Sequence, residues 1–374
     1  MSQLDLNSIV ANGFEFNKEF NNDTDVGLAF VSLKTALKAY FSTYQACKLN
    51  LLGEQSYNNS YCEACIETII HFQHFSELVC KKILKDCLIN NNQNLLSLYE
   101  KKKNGNVRTL DKDDNIATQI TDKIKNKINL SFEEQENIRV KDAKSIIDEL
   151  KSLNNLNFDF LKYEDTCMKL NYLRNSILHK GIFILHYKAL DIFIGSYVLP
   201  FVKDALNLSN FSSNTHIWKY KELFRPIDPI DEIIEESKLD SPDTGKLAFL
   251  KELGRAAYEN PLSEPYEIEN SNHPKIFPIF NQLNVGISKF FDKQKAERAK
   301  KIAINLNKKN YLIKNCPVCG VESLVIYYDK QVDGKTYAEM VKCECCTFEL
   351  YNETVKNACD YGFYGIDDYW KEIE

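Results

Sequence analysis

Apolar residues recur at three- and four-residue steps through the first half of the chain, and each recurrence predicts a helix with one buried face. Phe30, Leu33, Leu37, Phe41 and Tyr44 follow the capping residues Asp23 and Thr24 and predict a helix running to about Leu51. Ile69, Phe72, Phe75, Val79 and Ile83 predict a second, which begins near Tyr61 and ends in the Asn-rich turn Asn90 to Asn92. The stretch from Asn92 to Asn129 is polar, carries Lys101, Lys102 and Lys103 beside Gly105, and reads as an insertion with little regular structure. A short helix is expected from Phe132 to Leu153. Cys167, Leu170, Leu173 and Ile177 then predict a long helix from about Phe160 towards Lys180 and Gly181. Leu185, Ala189, Ile192, Ser196 and Leu199 mark the next, which Pro200 is expected to kink.

Beyond a linker at Asn207 to Asn214 the pattern shortens, and Pro226, Pro229, Pro242, Pro261, Pro265 and Pro274 punctuate small helical pieces. A basic helix follows from Lys289 to Lys309. Its Lys293, Lys295, Arg298, Lys300, Lys301, Lys308 and Lys309 make either a phosphate-facing surface or a solvated face. From Tyr311 the residues become strand formers: Leu324 to Tyr328 leads to the turn Asp333-Gly334, and Thr336 to Lys342 returns. The fold class is therefore mainly α, a helical bundle plus a helical middle region and a small C-terminal β unit. The expected organisation is an N-terminal segment at 1–23, a helical domain at 24–206 with its insertion at about 92–155, the middle region at 215–310, the β unit at 311–352 and an acidic tail at 353–374.

Net charge changes the picture by exclusion. At −6 the chain exerts no general attraction on nucleic acid, so any such contact needs a local patch. This argues against a regulator that grips duplex DNA with the basic helix. Met1 to Val10 lack a basic start followed by an apolar stretch, and Ile182 to Val202 is broken by His186, Lys188 and Asp191, so neither a leader nor a membrane span is expected. A cytoplasmic protein with no membrane partner is the expectation.

Five of the 12 cysteines fall between Cys316 and Cys346. Cys316-Pro-Val-Cys319-Gly and Cys343-Glu-Cys345-Cys346 are two turns, each able to hold a pair of thiolates, separated by the predicted hairpin. Cys316, Cys319, Cys343 and Cys346 are the expected ligands of a structural zinc ion, with Cys345 as a spare. Four protein ligands leave no position for water, so the zinc has no part in catalysis. Whether such a ribbon docks nucleic acid, a partner protein or a trigger stays open. Cys62 and Cys65, near His71 and His74, spread around one helix and read as core thiols.

Candidate chemistry lies in Leu173-Arg174-Asn175-Ser176-Ile177-Leu178-His179-Lys180-Gly181. Cutting RNA without a metal takes a group that deprotonates the ribose 2′-hydroxyl, one that protonates the leaving 5′-oxygen, and positive charge on the phosphorane. His titrates near neutrality, and the Arg fork donates to two phosphate oxygens. Asn175 and His179 share a helix face. Arg174 and His179 are about 140° apart on an ideal helix. Three solutions remain: the Arg side chain swings round, the helix loosens near Gly181, or two copies of the chain share one site. Otherwise Arg174 is solvated and His179 caps the last carbonyls.

These residues resemble the HEPN family, helical bundles whose nuclease members carry Arg, a polar residue and then His on one helix. The resemblance covers about Thr24 to Leu206 and implies a HEPN-like helical bundle, a homodimer or higher homo-oligomer, and metal-independent cleavage of RNA, with tRNA among the candidate substrates. It also implies 2′,3′-cyclic phosphate and 5′-OH ends, and a role in antiviral defence or as a toxin. Arg174, Asn175 and His179 would be the catalytic residues, needing no cofactor. His74, Glu77 and Lys81 form a polar stripe on the preceding helix where similar domains often carry supporting charges. An intrahelical Glu77–Lys81 pair is the other reading. The long insertion departs from the minimal family pattern. The rival to a nuclease is a nonenzymatic dimeric RNA-binding or scaffold protein that docks partners through its ribbon.

Overall fold

The computed structural model describes residues 26–47, 58–90, 95–103, 106–110, 112, 116–125, 138–153, 158–181, 183–209, 211–212, 215–266, 279–307, 311–328, 330–332 and 334–355. Calls on 1–23, on the far end of the first helix and on the tail beyond residue 355 lie outside them. The protein is mainly helical with a small antiparallel sheet towards its C-terminus. It divides into two compact units, and the chain passes between them more than once. One gathers the described residues of Met1–Thr35, Ile69–Phe183 and Phe201–Trp218, the other those of Ala36–Thr68, Ile184–Pro200 and Lys219–Glu374.

Two long helices open the fold, α1 (Gly27–Cys47) and α2 (Asn59–Asn90), and each has one end in each unit. Every residue of their two predicted stripes is buried. At roughly 1.5–3 kcal/mol per large apolar side chain, such stripes outweigh the weak helix propensity of their aromatic and β-branched members.

In the first unit the expected loop-like insertion holds regular structure. A 3-10 turn at Leu95–Leu98 leads to β1 (Tyr99–Lys103), β2 (Asn106–Thr109), α3 (Ala117–Lys125) and β3 (Ile138–Val140), and the strands form an antiparallel sheet in the order β2-β1-β3. The strands are too polar for their alternation to be read; beside them Leu96, Leu110, Ala117 and Ile120 form a small buried cluster with Tyr99 packed against it. Of the helix expected from Phe132 to Leu153, Ile138–Val140 is strand and the helix is only α4 (Ala143–Ser152), capped by Asp142, whose carboxylate accepts from the Ser145 amide. A 3-10 turn at Phe160–Tyr163 then feeds α5 (Glu164–Asn175). Phe201 anchors this unit, with the rings of Phe75, Phe158 and Tyr163 at 5.5–6.2 Å from its own.

The next helix after the motif is α6 (Tyr187–Phe193), a π turn at Ile194–Val198, and α7 (Leu199–Leu206), in unbroken succession. Proline cannot donate to the carbonyl four residues back and its ring clashes there. Instead the Leu199 amide pairs with the Ile194 carbonyl, five residues back, which is how this helix accommodates Pro200.

α8 (Thr215–Trp218) belongs to the first unit, and the second also holds α9 (Pro229–Ser237), α10 (Thr244–Glu259) and α11 (Ile279–Asn307). β4 (Leu312–Asn315), β5 (Glu322–Tyr327), β8 (Met340–Cys343) and β9 (Glu349–Tyr351) form a sheet in that order, all antiparallel. β6 (Lys330–Val332) and β7 (Lys335–Tyr337) make a separate hairpin around Gly334 at φ 80°. The single return strand expected at Thr336 to Lys342 is thus split, β7 pairing within the hairpin and β8 with β5.

Candidate active site and metal centre

The motif helix α5 buries Leu170 and Leu173 and then changes register. Ser176–Lys180 form a π turn, and Gly181 closes it at φ 64°, its amide bonding the Ile177 carbonyl at 3.1 Å. A π turn closes from residue i to i+5, whereas the α-helix closes from i to i+4. The register therefore changes between Arg174, at the end of the α-helix, and His179, within the π turn. Arg174 donates from Nη1 to Asn175 Oδ1 at 2.9 Å, which holds the guanidinium against its neighbour. His179 is exposed, and exposed Tyr172, Leu178 and Phe183 surround it in sequence.

On α2, His74 Nδ1 and Ser32 Oγ lie 2.8 Å apart, which fixes the ring. Glu77 receives Lys81 Nζ at 2.5 Å on one oxygen and Gln73 Nε2 at 3.0 Å on the other. Burial pushes the Glu77 carboxyl up, but the Lys81 ammonium and Gln73 amide outweigh it and hold the group below the usual carboxylate range. The intrahelical pair is therefore formed. Burial also pushes His74 down; Glu77 opposes this, while His71, Lys81 and Arg174 add to it. Arg174 is thus within electrostatic reach of His74, which places the α2 stripe and the motif in one neighbourhood of the first unit.

The four predicted ligands converge. Cys316, Cys319, Cys343 and Cys346 are buried, and their sulfurs all lie within 4.8 Å of one another, with Cys316–Cys346 at 3.4 Å and Cys319–Cys343 at 3.7 Å. A tetrahedral ion with metal–sulfur bonds of about 2.3 Å demands sulfur–sulfur edges of about 3.8 Å. The donor set therefore fits a tetrahedral metal ion. Burial pushes the Cys316 and Cys346 thiols well above their ordinary range, and a cation is what makes four adjacent thiolates tolerable there.

Each knuckle is locked in place. Backbone amides of Val318 and Cys345 donate to Cys316 Sγ and Cys343 Sγ at 3.4 and 3.3 Å. Gly320 sits at φ 76°, and a Cβ there would lie 2.6 Å from the Phe224 ring and 2.7 Å from the Tyr266 carbonyl. The amides of Phe224, Arg225 and Tyr266 bond the carbonyls of Val318, Pro317 and Cys319. At the second knuckle Thr347 adopts φ 63°, rare for a β-branched residue, and its carbonyl accepts from Arg255 Nη2 at 2.6 Å. Arg255 is held in turn by both Glu252 oxygens, at 2.8 and 2.6 Å. The ribbon is built onto α10 and the Pro-punctuated loops around it.

A buried ion pair escaped the sequence analysis. Lys251 Nζ and Asp191 Oδ1 meet at 2.7 Å with both side chains at most 1% exposed, and the ammonium lies 3.8 Å from the Tyr187 ring centroid and 4.8 Å from that of Tyr40. Burial drives the Lys251 ammonium down and the Asp191 carboxyl up, each opposed by the other's charge. The sequence signal was Asp191 among the charges that break the apolar run Ile182 to Val202. Cys65 is buried, with its thiol pushed up by desolvation to about 11. No helix among the described residues is long and apolar enough to cross a membrane. Compared with protein-family models, curated proteins and solved structures, the chain matches none.

Proposed function

We propose that the protein is a metal-independent endoribonuclease of the HEPN type, acting as a homodimer. The observation that supports this reading is the π turn at Ser176–Lys180, a break in helix register within the motif, between its Arg174 and its exposed His179. In the proposed reaction the ribose 2′-oxygen attacks phosphorus and the bond to the 5′-oxygen breaks. One imidazole accepts the 2′-hydroxyl proton and one imidazolium supplies a proton to the 5′-oxygen, leaving a 2′,3′-cyclic phosphate and a 5′-hydroxyl. His179 fills either role, and a second copy of the chain supplies the other. Arg174 neutralises the phosphorane and Asn175 aims it. Exposed Tyr172, Leu178 and Phe183 offer apolar area for the second copy to cover. His74, Glu77 and Lys81 shape the field beside Arg174 without touching substrate.

The ribbon's ion is read as zinc in a purely structural role, since four thiolates saturate it. Growth arrest or antiviral defence inside a reducing cell suits the free thiols of the described cysteines. The test is cleavage of total cellular RNA and a tRNA pool by zinc-loaded protein in magnesium-free buffer. His179→Ala and Arg174→Ala should each slow cleavage by about 10² to 10⁴ and abolish cyclic phosphate ends. Equal behaviour of wild type and both variants would overturn the nuclease and leave the RNA-binding scaffold.

A further inference from the structure

On α11 the buried positions Ala296, Ala299 and Ala303 turn one face inward. The opposite side bears Phe290 and Phe291, 58% and 52% exposed, followed by Gln294, Arg298, Lys301 and Ile302 at helical spacing. Two phenylalanines side by side in water, their ring centroids 5.9 Å apart, gain nothing from that exposure. Arg298 and Lys301 meet no carboxylate among the described residues. The two acids of this stretch are diverted: Asp292 accepts from the Ser263 amide at 2.9 Å and also from its hydroxyl, and Glu297 sits 4.0 Å from Lys300. The cations are left facing outward in a chain whose net charge is −6.

The N-terminal end of this face opens into a cleft of about 650 Å³ lined by Lys221, Pro261, Ser263, Phe291, Asp292 and Lys295. Lys221 donates to the carbonyls of Asn260 and Leu262, and Lys295 to that of Pro261 at 2.7 Å, so both ammonium groups are fixed at the cleft wall with a donor to spare. Burial and the neighbouring Lys295 charge hold Lys221 below its usual range against the opposing charge of Asp292, which also stands 4.0 Å from Lys295. An aromatic wall beside fixed cations, continued by a track of further cations, is the chemistry of single-stranded nucleic acid binding: bases stack and phosphates follow the charge.

The geometry points to α11 as a single-stranded RNA-binding face, with a base stacked on Phe291 at the mouth of the Lys221–Lys295 cleft and the following phosphates carried by Arg298 and Lys301. It deepens the nuclease reading by giving the substrate class a holding site on elements other than those bearing Arg174 and His179. Its binding chemistry holds without the cutting step.

The test measures fluorescence anisotropy of a short labelled oligouridylate on the full zinc-loaded chain carrying His179→Ala, so that no cleavage intervenes. Phe291→Ala should weaken binding about 5- to 150-fold, and Phe291→Tyr should restore it. Arg298→Gln with Lys301→Gln should lower the slope of log affinity against log salt by about 1.4. These positions are exposed, and an unchanged circular dichroism melt shows that they leave the fold intact. Unchanged affinity in both Phe291→Ala and the Arg298→Gln, Lys301→Gln variant, or duplex RNA binding as tightly as the single strand, overturns the proposal. Cleavage by wild type with unaltered binding in the variants sinks the face alone. Lost binding in the variants with no cleavage by wild type upholds the face and sinks the nuclease.

Discussion

The described residues include two π turns, and these stand in opposite surroundings. At Ile194–Val198 the turn buries Ile194, Gly195 and Val198: a Cβ on Gly195 would lie 2.0 Å from Ser237 Oγ, Ser196 Oγ donates to the Ser237 carbonyl at 2.8 Å, and Pro200 follows two residues on. Packing and proline chemistry account for it fully. At Ser176–Lys180 the turn runs out to exposed Leu178 and His179, no proline follows, and a Cβ on Gly181 would meet nothing within 4 Å. The same irregularity that serves packing in one unit is spent on the surface in the other, beside Arg174, Asn175 and His179. Changes around the first should lower stability, whereas changes around the second should lower activity.

The largest effect that sharpens this contrast is loss of the ribbon's ion. Structural zinc contributes on the order of 10 to 16 kcal/mol in small domains. Chelation, or Cys346→Ser, should abolish the cooperative melt of the second unit. Because Arg255 and Glu252 tie the second knuckle to α10, the amides of Thr244–Glu259 should lose hydrogen-exchange protection with it. Protection of α10 that survived complete metal removal would show the ribbon to be a mere appendage.

Next comes Lys251→Met, which leaves Asp191 buried and unpaired and should cost about 3–5 kcal/mol in urea denaturation. Adding Asp191→Leu should recover much of that loss, because the burden is the uncompensated charge rather than the lost attraction. If the double variant is no better than the single, the pair itself stabilises the unit.

The two glycines compare the π turns directly. Gly195→Ala forces Ser237 aside, and overpacking of this kind costs about 1–3 kcal/mol. Gly181→Ala has open space but needs left-handed backbone, a penalty of about 1–2 kcal/mol, and should depress RNA cleavage more than Gly195→Ala does. Equal activity in thermally matched variants would erase the distinction between the turns.

The smallest effect is a pH dependence. His74 titrates below its usual value, chiefly because burial disfavours the charged ring, so between that value and about 6.5 the unfolded chain binds more protons than the folded one. Its contribution is complete above about pH 6.5 and is lost as pH falls through the folded value. His74→Asn should flatten the melting temperature between about pH 7 and 5. An unchanged profile would place the ring in a more open setting.

Much of this architecture was legible in advance wherever its cause is local. The stripes on α1 and α2 are buried as their periodicity requires, because a helix that hides one face must repeat apolar residues every three or four positions. The small sheet at β1 to β3 was not, since strands reading Tyr-Glu-Lys-Lys-Lys and Asn-Val-Arg-Thr leave hardly any apolar alternation to read.

The sequence by itself determined the mainly helical class, the capped and striped helices, and a four-cysteine set whose spacing already prescribes two opposed knuckles. Tertiary structure alone decided what those elements meet. Asp191 finds Lys251 at 60 residues' remove, Arg255 reaches Thr347 at 92, and the backbone of 224–225 and Tyr266 seats the first knuckle. It also decided the two π turns, which depend on a balance of side-chain contacts and backbone hydrogen bonds that periodicity does not record. Local propensity and spacing act within a few residues, while burial selects partners across the whole chain, and only the second can turn an acid in an apolar run into half of an ion pair.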